Sequence, residues 1–412
     1  MIIPGDASSA SASGARWSEH ERPETDLNAM CRDTDERDED GRLVIRCHVN
    51  QRLSPLIVAK EMAAFGMLDA AEPQRWFVEQ CVRADFVESG REKTLGDCLY
   101  YKNLLHRLAK ALSEGSRVME DVVADAMGAT EGIAAEAAGS GSGSGTGRRG
   151  DSSAWMNKVY FYGRRGGAIG DRCAGVLRIA SHVNMFAGST GQYEWDAGYL
   201  LAEFILNSPA LFEGRALVEI GCGTGMATIM MAQLRREGMR HLGEGDAGLP
   251  PIVCTDGDRD TVENCEQNLR LNGIDAHMVS CSTWTWEEGM EGLRAADRER
   301  VMASGRAVVM VGADLLYDPE IIPVIVPLMA AFLKEAPAGS CVYLSTRRRS
   351  ELTLEKFLRA VEAEATLQMV EEEAFWEASR SDPSFVGFQH VHSLDEAKRS
   401  RSIILHRIVS SL

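Results

Sequence analysis

One short segment constrains this chain more than any other. Glu219-Ile220-Gly221-Cys222-Gly223-Thr224-Gly225 ends the apolar run RALVEIG and opens TGMATIMMAQLRREG, whose apolar residues recur three and four apart. That order predicts a strand, a glycine-rich turn and a helix, the glycines permitting a tight turn and close approach of a ligand to backbone. A dinucleotide fingerprint GxGxxG starting at Gly221 needs glycine at position 226, where this chain has Met226 and the loop reads GxGxG. NAD and FAD fall behind on that count.

The charges around the loop sharpen the expectation. Glu219, two residues before the first glycine, places a carboxylate where a pyrophosphate is disfavoured and a cationic ligand is suited. S-adenosylmethionine carries a sulfonium and an ammonium and no phosphate. PIVCTD reads as the next strand, so Asp256 at its end is placed to accept from both ribose hydroxyls. Asp258 is the better candidate for capping the helix RDTVENCEQNLRLNG, which Gly273 ends.

Strands and helices then alternate. A third strand is expected near Ala276–Cys281, a fourth at RAVVMVGAD, a helix over Ile321–Lys334, a fifth strand at SCVYLST and a helix over Glu351–Glu364. Late strand candidates stand at SFVGFQHVH and SIILHRIV, and earlier ones at VYFYG and GVLRIASHVNMFA. WDAGYLLAEFILNS gives a helix with one apolar face. Continuous apolar strands separated by helices predict a mostly parallel sheet covered on both faces. In such a sheet ligands bind beyond the carboxyl ends of the strands, which puts Asp314, at the end of the fourth, beside the glycine loop.

These segments resemble the seven-β-strand S-adenosylmethionine-dependent methyltransferases. Within them the chain resembles the protein lysine methyltransferases that carry (D/E)-x-x-(Y/F) after the fourth strand, here Asp314-Leu315-Leu316-Tyr317. It is most similar to the elongation factor 2 lysine methyltransferase family across GSTGQYEWDAGYLLAEFILNSPALFEGRALVEIGCGTG, NLRLNG and ADLLYDPEII. The resemblance implies a Rossmann-like class I three-layer α/β sandwich with a seven-stranded mixed sheet. It implies that Glu219, Gly221, Gly223 and Asp256 hold S-adenosylmethionine, that Trp195 lies over its methionine end and that Trp286 lies near its adenine. Asp314 and Tyr317 become the catalytic candidates, with Asp314 orienting an acceptor lysine and Tyr317 bounding its channel. The implied product is S-adenosylhomocysteine and the implied protein substrate is translation elongation factor 2. Another protein of chaperone or calmodulin type, or a catalytically weak interaction protein on the same fold, remains open.

Charge and composition bound the rest. The formal charge is −17, opposite in sign to what a duplex-binding surface needs, so no direct nucleic-acid partner is expected. Residues 1–40 hold eleven acids against four bases and are read as part of a disordered acidic head over 1–42. Residues 43–138 are read as a helical N-terminal region, 139–153 as a Gly/Ser-rich linker and 154–412 as the methyltransferase domain. The ten cysteines form no CxxC pair, so no metal site is expected and reduced thiols in a cytoplasmic protein fit best. No membrane association is expected, since the longest apolar run, Pro323 to Leu333, is far below the roughly 20 residues of a span. His390 and His392 lack a third ligand, and Arg347-Arg348-Arg349 reads as a solvated charge run.

Overall fold

The computed structural model describes residues 42–68, 71–87, 93–113, 155–164, 173–182, 190–242, 249–391, 393–394 and 402–411. The acidic head and the Gly/Ser segment lie outside these residues.

Seven strands make the central sheet: β3 (Ala216–Ile220), β4 (Ile252–Asp256), β5 (Val279–Thr283), β6 (Val308–Ala313), β7 (Cys341–Arg347), β8 (Leu367–Glu371) and β10 (Ile403–Ser410). Their order is β5-β4-β3-β6-β7-β10-β8, the first five parallel and β10 antiparallel to both neighbours. The mixed three-layer α/β sandwich expected from the sequence is what forms. Odd and even residues of the central strands part company by the two-residue period of a strand. Leu217, Val309 and Val311 enter one core, while Ala216, Val218, Val308 and Met310 enter the other.

The first face is covered by α5 (Asp196–Asn207), α6 (Met226–Leu242) and α7 (Arg259–Leu271), and the second by α8 (Gly289–Gly292), α9 (Ala295–Met302), α10 (Ile322–Glu335) and α11 (Glu351–Ala363). Chain direction reverses at β3 and β6, where one crossover leads to β4 and the other to β7. Their adjacent carboxyl ends are the topological switch point at which such sheets bind ligands.

SFVGFQHVH does not join this sheet. Its three strand residues, β9 (Val386–Phe388), extend a second sheet of order β2-β1-β9 with β1 (Trp155–Arg164) and β2 (Cys173–His182). The edge place falls to β8, whose LQMVE is too polar to stand out as an apolar run. Buried Glu203 of α5 accepts from the Phe388 amide, and Asn207 bonds both the amide and carbonyl of Val386, so β9 is tied to α5 instead.

Helices α1 (Arg42–Asn50), α2 (Pro55–Ala64), α3 (Ala71–Trp76) with its π-helical continuation to Val87, and α4 (Leu95–Ser113) pack around Tyr101, Leu104 and Phe77. They dock on the small sheet. The Thr94 hydroxyl donates to the Trp155 carbonyl, and buried Asp97 takes the Asn157 amide at 3.0 Å and the Arg52 guanidinium at 3.0 Å. No helix among the described residues is long and apolar enough to cross a membrane.

Candidate active site

The glycine loop bends as its composition dictates. Gly221, Gly223 and Gly225 have φ of +62, +55 and +81°, a region that costs L residues energy. A Cβ on Gly221 would stand 2.6 Å from Leu315 and 3.3 Å from Trp286, and one on Gly223 would stand 3.3 Å from the Gly191 carbonyl oxygen. The loop is therefore bounded by the residue after Asp314, by Trp286 and by the strand-to-helix connection carrying Trp195.

Glu219 is 2% exposed and accepts from both the amide and the hydroxyl of Thr228, on the first turn of α6. Burial raises its carboxyl to about 8, opposed by those two bonds and reinforced by the charge of Asp256. Asp256 accepts from the amides of Gly223 and Asp258, each at 3.1 Å, which fixes it to the loop's middle glycine. Burial raises its carboxyl too, against those bonds. The α7 cap is Asp258, which accepts from the amides of Asp260 and Thr261, leaving Asp256 free of that duty.

The two tryptophans of STWTWEE divide. Trp284 is 1% exposed, and its indole N–H donates to the Gly289 carbonyl at 2.9 Å, so it is a core residue. Trp286 lies beside Gly221 with a buried indole N–H that has no hydrogen-bond partner among the described residues. An unpaired donor, a glycine cradle that any Cβ would fill, a buried carboxylate and a half-buried one fit a ligand that brings acceptors and positive charge. S-adenosylmethionine has both.

Trp195 is half-buried at the start of α5, its indole N–H donating to the Thr190 carbonyl at 2.9 Å. The Arg349 guanidinium lies 5.0 Å from the centre of its ring. The same guanidinium holds Asp314 by two contacts, Nη1 to Oδ1 at 2.8 Å and Nη2 to Oδ2 at 2.6 Å. Asp314 is 7% exposed and sits at φ +57°, a conformation that Asp tolerates better than most residues. Its amide donates to the Ser345 carbonyl of β7 at 2.7 Å. Burial raises its carboxyl, while Arg349 and the Arg347 amide favour its charge.

Tyr317 stands apart from these contacts. It is 60% exposed and has no hydrogen-bond partner among the described residues, in keeping with a rim position.

The arginine run is solvent-exposed at Arg348 and Arg349, as expected, but two of its three members also meet buried carboxylates, while Arg348 pairs with Glu351 at 3.1 Å. Arg347 pairs with Asp196 and Arg349 with Asp314, because residues two apart on an extended segment share a side and that side faces buried carboxylates. Two further groups were not foreseen. In NLRLNG, Asn268 bonds the Ala180 amide and carbonyl of β2 and the Thr224 carbonyl of the glycine loop, and Asn272 bonds both backbone groups of Arg178. Asn264 at helical spacing before them was the available signal. Cys222, Cys254 and Cys265 bring their sulfurs within 4.8 Å of one another, with 3.3 Å between the last two, although loop, strand and helix supply them singly. His390 is described and His392 lies outside the described residues.

Comparison with known proteins agrees with this geometry. A family model described as lysine methyltransferase matches residues 177–364. The protein-lysine N-methyltransferase EFM3 of Chaetomium thermophilum is 28% identical over 176 residues, covering 42% of this chain and 47% of that one. The human protein-lysine N-methyltransferase EEF2KMT is 24% identical over 182 residues, covering 41% and 49%. Human methyltransferase-like protein 22 is 30% identical over 97 residues, covering 24% and 20%. This chain spans about half the length of EFM3 and EEF2KMT. Its glycine loop, its Asp314 motif and strands β3 to β7 all fall within the matched span, so residues 177–364 are similar to a lysine methyltransferase domain.

Proposed function

We propose that this protein methylates a lysine of translation elongation factor 2 in the cytoplasm. The observation that carries the reading is the place of Asp314: a buried carboxylate in left-handed backbone at the end of β6, one residue from the Leu315 that closes over Gly221. The names EFM3 and EEF2KMT of two relatives support the acceptor. Eight cysteines of the described residues are free thiols, which supports a reducing compartment.

In this reading Gly221, Gly223, Glu219, Asp256 and Trp286 hold the cofactor and Trp195 covers its methionine end. Bound there, S-adenosylmethionine supplies a methyl group on a positively charged sulfur. Asp314 accepts a hydrogen bond from the lysine nitrogen and aims its lone pair into the cleft. Tyr317 bounds the channel by which the side chain enters. No acid, base or metal is needed to activate the donor.

Helices α1 to α4 offer a docking face for a large substrate, since Leu56, Ile57 and Phe65 of the α2 region are 43%, 36% and 42% exposed. Deleting the whole region would uncover β1, so Leu56→Ser with Phe65→Ser is the sounder test. Transfer to intact protein should fall while cofactor affinity holds.

The reading as a whole is tested by labelled methyl transfer into a eukaryotic lysate, with wild-type protein and Asp314→Asn compared and the labelled band identified by mass. Label on a lysine of elongation factor 2, lost in the variant, is expected. Label on a different protein would retain the reaction and replace the acceptor.

A further inference from the structure

Asp314 poses an electrostatic problem for lysine methylation. A lysine of pKa about 10.4 is neutral about once in 2,500 molecules at pH 7, roughly 4.6 kcal/mol from its reactive form. An unpaired carboxylate beside it favours the ammonium and widens that gap. The residue that aims the nitrogen thus works against its deprotonation.

Arg349 removes the conflict. Its guanidinium engages both oxygens of Asp314 and spans to the Trp195 ring, so the fork, the carboxylate and the indole form one unit at the mouth of the cleft. Asp314's side chain is 6% exposed and Arg349's is 34%, so the pair is screened on one side only. A carboxylate has about four lone-pair sites, of which the fork takes two and the Arg347 amide a third. An amine N–H therefore has an acceptor left on Asp314 without displacing the arginine.

We propose that Arg349 is a positioning residue of the acceptor pocket: it remains on Asp314 during the reaction, cancels the carboxylate's charge and repels an ammonium, so that the lysine is held as a neutral amine. This rests on the function proposed above. Arginine suits the task because it stays charged at any working pH, and a lysine at this position would itself be a nucleophile inside the pocket.

The other basic groups around the pocket are already matched, while the acids Glu219 and Asp256 beside the glycine loop are held by Thr228 and by backbone amides rather than by a cation. On β7 and α5 Arg347 pairs with Asp196, and ahead of α11 Arg348 pairs with Glu351. On β1 and the segment before α5 Lys158 pairs with Glu194 at 2.8 Å and lies 4.9 Å from the Tyr193 ring centre. The turn after β6 contributes the exposed Tyr317 hydroxyl and Asp318, whose carboxylate accepts from the Glu320 amide at 2.9 Å. The balance at the acceptor nitrogen is thus set by Asp314 and Arg349.

The experiment compares wild type, Arg349→Gln and Arg349→Lys in the full-length protein, as initial rates of labelled methyl incorporation into a eukaryotic lysate from pH 6.5 to 10. S-adenosylhomocysteine affinity and melting temperature are measured in parallel. Arg349→Gln should lose at least about tenfold at pH 7, recover most of it by pH 10 and show its rising limb about one pH unit higher, with cofactor affinity unchanged. Arg349→Lys should keep the wild-type limb at a lower plateau. A folded Arg349→Gln protein whose profile runs parallel to wild type overturns the proposal, and so does one that is faster at pH 7, which would make Arg349 a plug. Absence of transfer by wild type would overturn the proposed function and this inference together, whereas an active wild type with an unshifted variant overturns this inference alone.

Discussion

Arg349 grips Asp314 through both carboxylate oxygens, at 2.8 and 2.6 Å, although 34 residues and a helix separate them in the chain. The contact exists because β6 and β7 are parallel neighbours whose carboxyl ends stop side by side, Ala313 pairing with Ser345. The segments leaving those two ends must then meet. A parallel sheet thus assembles a site from segments that are each only a loop after a strand.

Replacing Asp314 separates chemistry from folding only if the backbone is respected. At φ +57° alanine adds strain, whereas asparagine accepts left-handed backbone and keeps the shape. Asp314→Asn should abolish methyl transfer by at least about 100-fold with cofactor affinity within about threefold of wild type, since one hydrogen-bonded charge lost from the reacting centre costs about 3 kcal/mol. Asp314→Ala should show the same loss and a lower melting temperature. Isothermal titration with S-adenosylhomocysteine, beside rate measurements, separates these outcomes.

Gly223→Ala tests the loop. Its Cβ would lie 3.3 Å from the Gly191 oxygen in a backbone conformation with φ +55°, so the connection to Trp195 must move. A stability loss of about 1 kcal/mol and a cofactor affinity loss of about tenfold or more are expected. Retention of wild-type affinity would argue that the ligand does not approach this glycine.

Much of this architecture was legible because its signals are local. The glycine loop needs positive φ at 221, 223 and 225, and only a glycine pattern announces that. Continuous apolar strands such as β3 and β6 announce burial on both faces. The Arg349 contact was not legible, because a triple arginine is compatible with solvent or with carboxylates that only the sheet topology brings near. The same holds for β8 and β9: the more apolar SFVGFQHVH was drawn away by Glu203 and Asn207, leaving the poorer LQMVE to pair with β10.

Glu219 should make cofactor binding depend on pH. Its carboxyl, raised by burial to about 8, is mostly protonated at pH 7, while a cationic ligand favours the ionised form. Binding must then release a proton, and affinity should rise as pH climbs from 6 toward 8. Glu219→Gln removes the proton release, which calorimetry in buffers of different ionisation enthalpy reads directly. Relative to wild type the variant should also gain stability as pH rises from about 4.5 to 8, the window in which the unfolded chain ionises this carboxyl while the native protein keeps it protonated, with no further gain above 8.

His406 carries the opposite sign. It is 3% exposed between β7 and β8, neither ring nitrogen has a hydrogen-bond partner among the described residues, and burial lowers it from its usual range to about 4. The unfolded chain therefore takes up a proton near pH 6.5 that the native protein refuses until about 4. Stability present above pH 6.5 is lost as pH falls through that window, by at most about 3 kcal/mol. His406→Leu should melt close to wild type at pH 8 and higher than wild type at pH 5. Parallel melting curves at both pH values would discount the buried imidazole.

Asn268 links the small sheet to the glycine loop. One side chain accepts from the Ala180 amide at 2.8 Å and donates to the Ala180 carbonyl at 3.2 Å and the Thr224 carbonyl at 2.9 Å, all of it buried. Leucine at this position fills similar volume but leaves the Ala180 amide and the Thr224 carbonyl without this partner, at about 1 kcal/mol or more each, while the Ala180 carbonyl keeps the Asn264 amide. Asn268→Leu should therefore destabilise by about 2 kcal/mol. Because Thr224 belongs to the glycine loop, cofactor affinity should fall as well, beyond what lost stability alone produces. Asn272→Leu removes the bonds to Arg178 and the Asn268 carbonyl but none to the loop. Its destabilisation should be comparable and its cofactor affinity intact, and equal affinity losses in the two variants would place the effect in helix α7 rather than in the bond to Thr224.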